Sequence, residues 1–216
     1  TVEPGDEVIV LTPAYDCYAP LIRRAGGTVR EVALRPPEWR ISPEALEAAV
    51  SAKTRAIVFN NPHNPTGRLF DAEELEAVAG FARDRDLIVI ADEVWEHILL
   101  DGQRFTPLAS LPGMAGRTLK IGSAGKIFSL TGWKVGWIAA APQLADVAAR
   151  AHQFLTFSTA PNLQSAVAFG MAEGDSWIEP MRKRFARAPM RLRVEALGQR
   201  VVLAGHEVVL EVVGPD

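Results

Sequence analysis

The sequence predicts an α/β protein of three layers, α/β/α, with a mostly parallel sheet in the middle. Two observations carry this expectation. Short apolar runs of strand length alternate with segments that hold helix-start signals, the pattern of a layered α/β domain. Several of those runs are apolar at nearly every position rather than every second one, as strands covered on both faces must be. The 216 residues, 48% hydrophobic and 23% charged, suffice for one large domain with a substantial core.

In chain order, Val8 to Leu11 is a continuous apolar run, and Thr28 to Leu34 alternates in the manner of a strand. Ser42-Pro43-Glu44 starts a helix, with serine as the cap and proline at the first helical position. Arg55 to Phe59 and Leu87 to Ala91 are again short and apolar. Between them Asp71-Ala72-Glu73-Glu74 caps a second helix, its acidic residues facing the positive end of the helix dipole. Leu75, Val78, Ala79 and Ala82 recur at helical spacing as its buried stripe. Thr118 to Ile121 and Val135 to Ala140 complete the strands, and Leu144–Gln153, Asn162–Ala172 and Trp177–Arg187 read as helices. Residues 200–210 read as a β-hairpin around Ala204-Gly205.

Composition narrows the function classes. With 23 Lys+Arg against 26 Asp+Glu the formal charge is -3, so no nucleic-acid partner is expected. No apolar stretch approaches the roughly 20 residues that span a bilayer, so no membrane partner is expected either. One cysteine, Cys17, cannot build a disulfide framework within the chain, which fits a cytoplasmic location. His63, His97, His152 and His206 match no metal-ligand spacing and read as structural or surface residues. Thr1 and Pro215-Asp216 read as cuts through a longer folded protein.

The unusual residues sit where strands end, which is where ligands bind in open α/β sheets. Asn60 to Gly67, with two prolines and three asparagines, makes a rigid turn, or else holds the Asn64 amide over the sheet for a ligand. Asp92 is a helix cap or ion-pair partner, or else a carboxylate held for a protonated ring nitrogen. Ser123-Ala124-Gly125-Lys126 is a surface turn, or else a close-approach loop with a hydroxyl for an anion and an amine for a nucleophile. Lys134 offers a second positive charge to a phosphate.

Together, Asn60-Asn61-Pro62-His63-Asn64-Pro65-Thr66-Gly67, Ala91-Asp92-Glu93-Val94, Ser123-Ala124-Gly125-Lys126 and Gly132-Trp133-Lys134-Val135-Gly136-Trp137 resemble the central signature of the class I/II aminotransferases. These are fold-type I pyridoxal-phosphate enzymes, and the resemblance runs from about Pro4 to Ala188. Tyr15-Asp16-Cys17-Tyr18 and Pro107 to Met114 look like the kynurenine, methionine and succinyldiaminopimelate types.

The resemblance implies a role for each matching position. Lys126 forms the internal aldimine with pyridoxal 5'-phosphate and then moves the substrate proton. Asp92 pairs with the pyridine nitrogen and Asn64 bonds the ring's 3-oxygen. Tyr15 stacks on the ring, while Ser123 and Lys134 bind the phosphate. Trp95 stands where the family usually has tyrosine, and it offers an indole N–H without acceptor capacity. No residue is assigned to grip the substrate carboxylate, and Arg184, Arg187 and Arg191 read as exposed helix-face cations.

The implied activity is transamination between an amino acid and a 2-oxo acid. Carbon–sulfur β-lysis and a non-catalytic cofactor sensor are the alternatives. Residues 1–188 read as the large cofactor-binding domain, and 189–216 as a C-terminal segment standing where a small domain would start. A homodimer is implied, with Phe157 to Asn162 as the interface candidate.

Overall fold

The computed structural model describes residues 2–99, 102–187, 202–203 and 206–207. Six strands form one sheet: β1 (Glu7–Thr12), β2 (Thr28–Ala33), β3 (Thr54–Asn60), β4 (Ile88–Asp92), β5 (Thr118–Ser123) and β6 (Gly136–Ala139). Their spatial order is β2-β1-β3-β4-β5-β6. All neighbours pair parallel except β5 with β6, which is the antiparallel edge. Because β2 and β3 lie on opposite sides of β1, the winding reverses at β1. In such a sheet the loops diverge there and leave a crevice at the carboxyl ends of the strands.

The continuous apolar runs divide between two faces, as the pleat requires. Val8 and Val10 of β1 join Ala56, Val58 and Ile22 on one side. Ile9 and Leu11 join Ile57, Phe59, Val89 and Ala91 on the other. Helix α1 (Tyr18–Arg24), which contributes Ile22, covers the first face. Helices α2 (Pro43–Ala49) and α3 (Ala72–Asp84) cover the second. The three layers follow from that division.

Local chemistry sets the helix starts. Ser42 accepts the Ala45 N–H at 3.2 Å, with Pro43 in the first turn. Asp71 accepts the Glu74 N–H at 3.0 Å while the Glu74 carboxylate accepts the Asp71 N–H at 3.2 Å. A cap of this kind contributes about 1 kcal/mol. The stripe Leu75, Val78, Ala79 and Ala82 is buried. Glu74 is buried too, because it also takes Arg68 at 2.6 Å and the Ile41 N–H at 2.9 Å.

Strand and helix ends differ from expectation in three places. β5 runs on to Ser123, so the serine is the last strand residue. Thr131–Trp133 is a turn of 3₁₀ helix, and β6 begins only at Gly136 rather than at Val135. Helix α1 was not legible, since Tyr18 to Arg24 is a bare two turns without a side-chain cap. The short helix α4 (Ala124–Ile127) follows β5, and α5 (Pro142–Leu155), α6 (Pro161–Ala172) and α7 (Asp175–Arg187) match the three expected helices. Two short strands, β7 (Val202–Leu203) and β8 (His206–Glu207), pair antiparallel in agreement with the expected hairpin; Ala204 and Gly205 lie outside the described residues. Arg184 is exposed on α7, whereas Arg191 lies outside the described residues.

Candidate active site

Four strand ends supply the site. At β3 and β4, Asn60 and Asp92 are register partners on adjacent parallel strands. The Asn60 amide donates to the Asp92 main-chain carbonyl at 2.8 Å, and the Asn61 N–H reaches the same oxygen at 3.1 Å. Asn60 Oδ1 in turn accepts the Asn64 N–H at 2.7 Å. The backbones bearing Asp92 and Asn64 are therefore tied together through one asparagine.

The rest of the Asn-Pro turn serves the structural reading. Asn61 Oδ1 accepts the Phe70 N–H at 3.1 Å, and His63 Nδ1 meets the Thr66 hydroxyl at 2.8 Å. His63 is buried; that burial, with the Arg68 charge nearby, pushes its pKa down to about 4. Asn64 stays half-buried at the rim.

Asp92 follows its strand into a turn rather than capping a helix. Its Oδ2 accepts the Tyr18 hydroxyl, while among the described residues its Oδ1 meets only the Val94 N–H, at 3.4 Å. Tyr18 is the functional neighbour that sequence reading missed. No local signal marks it, because it meets Asp92 only across the sheet, and only the Tyr15-Asp16-Cys17-Tyr18 likeness drew notice to it. Burial, then the Asp92 charge and the hydrogen bond, hold the Tyr18 phenol protonated well above its ordinary range. Tyr15, almost half exposed, meets Tyr18 edge-on with ring centroids 5.7 Å apart.

Behind Asp92, Glu93 is fully buried and accepts the Leu108 N–H at 2.9 Å. Burial pushes its carboxyl up to about 7 against the pull of that bond and of Lys120, 3.9 Å away. Lys120 is itself paired with Glu96.

At the end of β5 the backbone must be tightly packed. A Cβ on Gly125 would stand 3.0 Å from the Thr131 Cα and 3.3 Å from the Ser123 hydroxyl. One on Gly122 would fall 2.3 Å from the Trp137 indole. Both positions exclude a larger residue, and between them they fix the turn that carries Lys126. The Lys126 Nζ lies 4.7 Å from the Trp95 ring centroid, so β4 and β5 deliver their loop residues to one place. Ser123 makes no capping bond with its hydroxyl.

Lys134 is exposed and closes the Thr131–Trp133 turn in the left-handed conformation, φ 55°. Among the described residues no hydrogen bond joins its side chain to the others. Tyr15, Asp92 and Asn64 are thus linked through Tyr18 and Asn60, Trp95 and Lys126 form a second pair, and Ser123 and Lys134 precede and follow Lys126 along the chain. The apolar hollow of about 250 Å³ lined by Phe128, Leu130, Trp133, Val167 and Trp177 holds no ionisable side chain and plays no part in this cluster.

A mostly parallel, doubly wound sheet with polar side chains at the carboxyl ends of its strands defines an α/β domain of the ligand-binding type. The chain belongs to the class I and II aminotransferase family, whose family pattern matches residues 1–210. It is 41% identical to kynurenine–oxoglutarate transaminase 1 of Homo sapiens over 178 residues, 77% of this chain and 42% of that one. The structure of N-succinyldiaminopimelate aminotransferase from Mycobacterium tuberculosis superimposes with a TM-score of 0.83 at 41% identity, over 85% of this chain and 48% of that one. An aromatic aminotransferase from Pyrococcus horikoshii also superimposes with a TM-score of 0.83, at 36% identity, over 87% of this chain and 51% of that one. The chain therefore spans about half the length of the relatives it matches. Family members typically use pyridoxal phosphate.

Proposed function

We propose that this chain is the cofactor-binding part of a pyridoxal-phosphate-dependent transaminase that exchanges an amino group between an amino acid and a 2-oxo acid. The observation that carries the reading is the meeting of the β4 and β5 loops, which sets the Lys126 amine against Trp95, three residues beyond the Asp92 carboxylate.

The donor set fits the cofactor group by group. A primary amine on a turn fixed by Gly125 suits an aldehyde, and Asp92, whose side chain has no cationic partner among the described residues, suits a protonated ring nitrogen. The Asn64 amide can donate to the 3-oxygen, the Tyr15 ring can cover one ring face, and Ser123 and Lys134 can bond a phosphate. When bound, the cofactor supplies an electron sink for the substrate α-carbon. Lys126 holds the cofactor and afterwards moves the proton at that carbon. Asp92 keeps the ring nitrogen protonated by its fixed charge, a stabilisation that costs no reorganisation during reaction. Trp95, standing where the family usually has tyrosine, offers the free Lys126 amine an aromatic face in place of a hydroxyl donor for the 3-oxygen.

A homodimer belongs to the same reading. Phe154, Leu155 and Phe157 are 86%, 75% and 79% exposed at the end of α5 and the turn beyond it. So large an apolar display supports an interaction surface there, and sedimentation of the complete protein as monomer alone would remove that reading. Among the described residues, no helix is long and apolar enough to cross a membrane.

The test uses the complete protein that carries this chain. Loaded with pyridoxal phosphate, treated with borohydride and digested, it should carry the label on Lys126. Label on Lys134, or on Lys120 despite its pairing with Glu96, would overturn the assignment. Amino acids assayed against 2-oxoglutarate and pyruvate should yield paired products. Pyruvate released from cysteine conjugates without an acceptor would point to β-lysis instead, and cofactor binding without turnover to a sensor.

A further inference from the structure

We propose that Tyr18 is a positioning residue for Asp92: its hydroxyl donates to Oδ2 and holds the carboxylate in the orientation that presents Oδ1 to a cofactor's ring nitrogen. The inference rests on the function proposed above and adds a residue to it.

Asp92 is held at two levels. Its backbone is pinned through the carbonyl oxygen by Asn60 and Asn61. That leaves the carboxylate torsion, which for an sp³–sp² bond is broad and offers no rotamer well of its own. The Val94 N–H on Oδ1, at 3.4 Å, is too long to select an orientation. The Tyr18 hydroxyl supplies the missing constraint, across 74 residues of sequence.

The position of Tyr18 is itself determined. It opens α1, its ring is packed edge-on to Tyr15, and it joins the apolar cluster of Val8, Val10 and Ile22. A donor anchored in the core on one side and bonded to a loop carboxylate on the other has little freedom. A carboxylate has about four acceptor sites, so one oxygen can keep the phenol while the other takes a ring N–H. The phenol remains a donor throughout, because burial and the Asp92 charge oppose its ionisation.

Two measurements on the complete protein test this. In the empty protein, the ¹³Cζ resonance of Tyr18, identified by its loss in Tyr18→Phe, should stay in the protonated form to about pH 11, beyond the ordinary tyrosine pKa of roughly 10. In Asp92→Asn the same resonance should titrate at lower pH. A Tyr18 that ionises in the ordinary range in the wild type has no such bond, and the inference falls.

The second measurement is pyridoxal phosphate affinity. Tyr18→Phe should weaken it about tenfold, as loss of a hydrogen bond to a charged group does, and should add nothing in an Asp92→Ala background. Equal or tighter binding by Tyr18→Phe would mean that the hydroxyl only fills the ring nitrogen's place. An equal loss in both backgrounds would mean that it acts by packing alone, and either result overturns the role. A wild-type protein that takes no cofactor defeats the proposed function and this role together, whereas binding untouched by Tyr18→Phe defeats this role only.

Discussion

The Nζ of Lys126 stands 4.7 Å from the centre of the Trp95 ring, on loops that leave neighbouring strands. Trp95 is half-buried, so the contact is partly desolvated, the condition under which a cation–π pair contributes about 0.5–2 kcal/mol. We expect a double-mutant cycle with Trp95→Leu and Lys126→Met, read by urea denaturation of the empty protein, to give a coupling of about 1 kcal/mol. Additive effects would mean that the two side chains are neighbours without an interaction.

Asp92→Ala separates folding from function. The bonds from the Asn60 amide and the Asn61 N–H to the Asp92 carbonyl survive the substitution, while the Tyr18 hydroxyl and the Val94 N–H lose their acceptors. Stability should therefore fall by about 1–3 kcal/mol, while turnover falls by several orders of magnitude with cofactor still bound. Near-normal transamination in this variant would refute the ring-nitrogen role.

Lys134 occupies a left-handed conformation, φ 55°, that glycine would adopt without the steric penalty of about 1–2 kcal/mol. Lys134→Gly removes that penalty but gives the unfolded chain more freedom, which offsets part of the gain. Thermal unfolding should show stability unchanged within about 1 kcal/mol, and equilibrium dialysis should show weaker pyridoxal phosphate binding. A variant that binds as tightly as the wild type would take Lys134 out of the phosphate site.

Glu93 makes the fold sensitive to pH. Its folded pKa, about 7, lies above the usual carboxylate value because the side chain is buried. A raised folded pKa means that stability is fully present below the unfolded value near 4.3 and is lost as pH rises towards 7, where the folded form at last ionises. Glu93→Gln retains an acceptor for the Leu108 N–H and has no charge to bury. Relative to wild type, the variant should gain on the order of 2–3 kcal/mol between pH 4.5 and pH 8 in urea titrations. Parallel stability curves over that range would show that Glu93 ionises freely in the fold.

The strands and capped helices were legible because their causes are local. Val8 to Leu11 and Arg55 to Phe59 are apolar throughout, and Ser42 and Asp71 bond N–H groups three residues away. Helix α1 was not, because its two turns carry no side-chain cap and owe their place to Ile22 packing on the sheet. The strand expected from Val135 shortened to Gly136, since Thr131 to Trp133 closes a turn against the Gly125 backbone.

The sequence by itself determined the α/β layering and the starts of the capped helices through residue types and spacings, and its resemblance to the family named the candidates Lys126, Asp92, Asn64, Tyr15, Trp95, Ser123 and Lys134. Only the tertiary structure decided what those residues touch. Trp95 as a face for Lys126, Asn60 as the tie between Asp92 and Asn64, and Tyr18 as the donor to Asp92 all depend on side chains meeting across separate strand ends. Strand order and register bring those ends together, and they are set by burial of both sheet faces at once, a condition no single stretch of sequence contains.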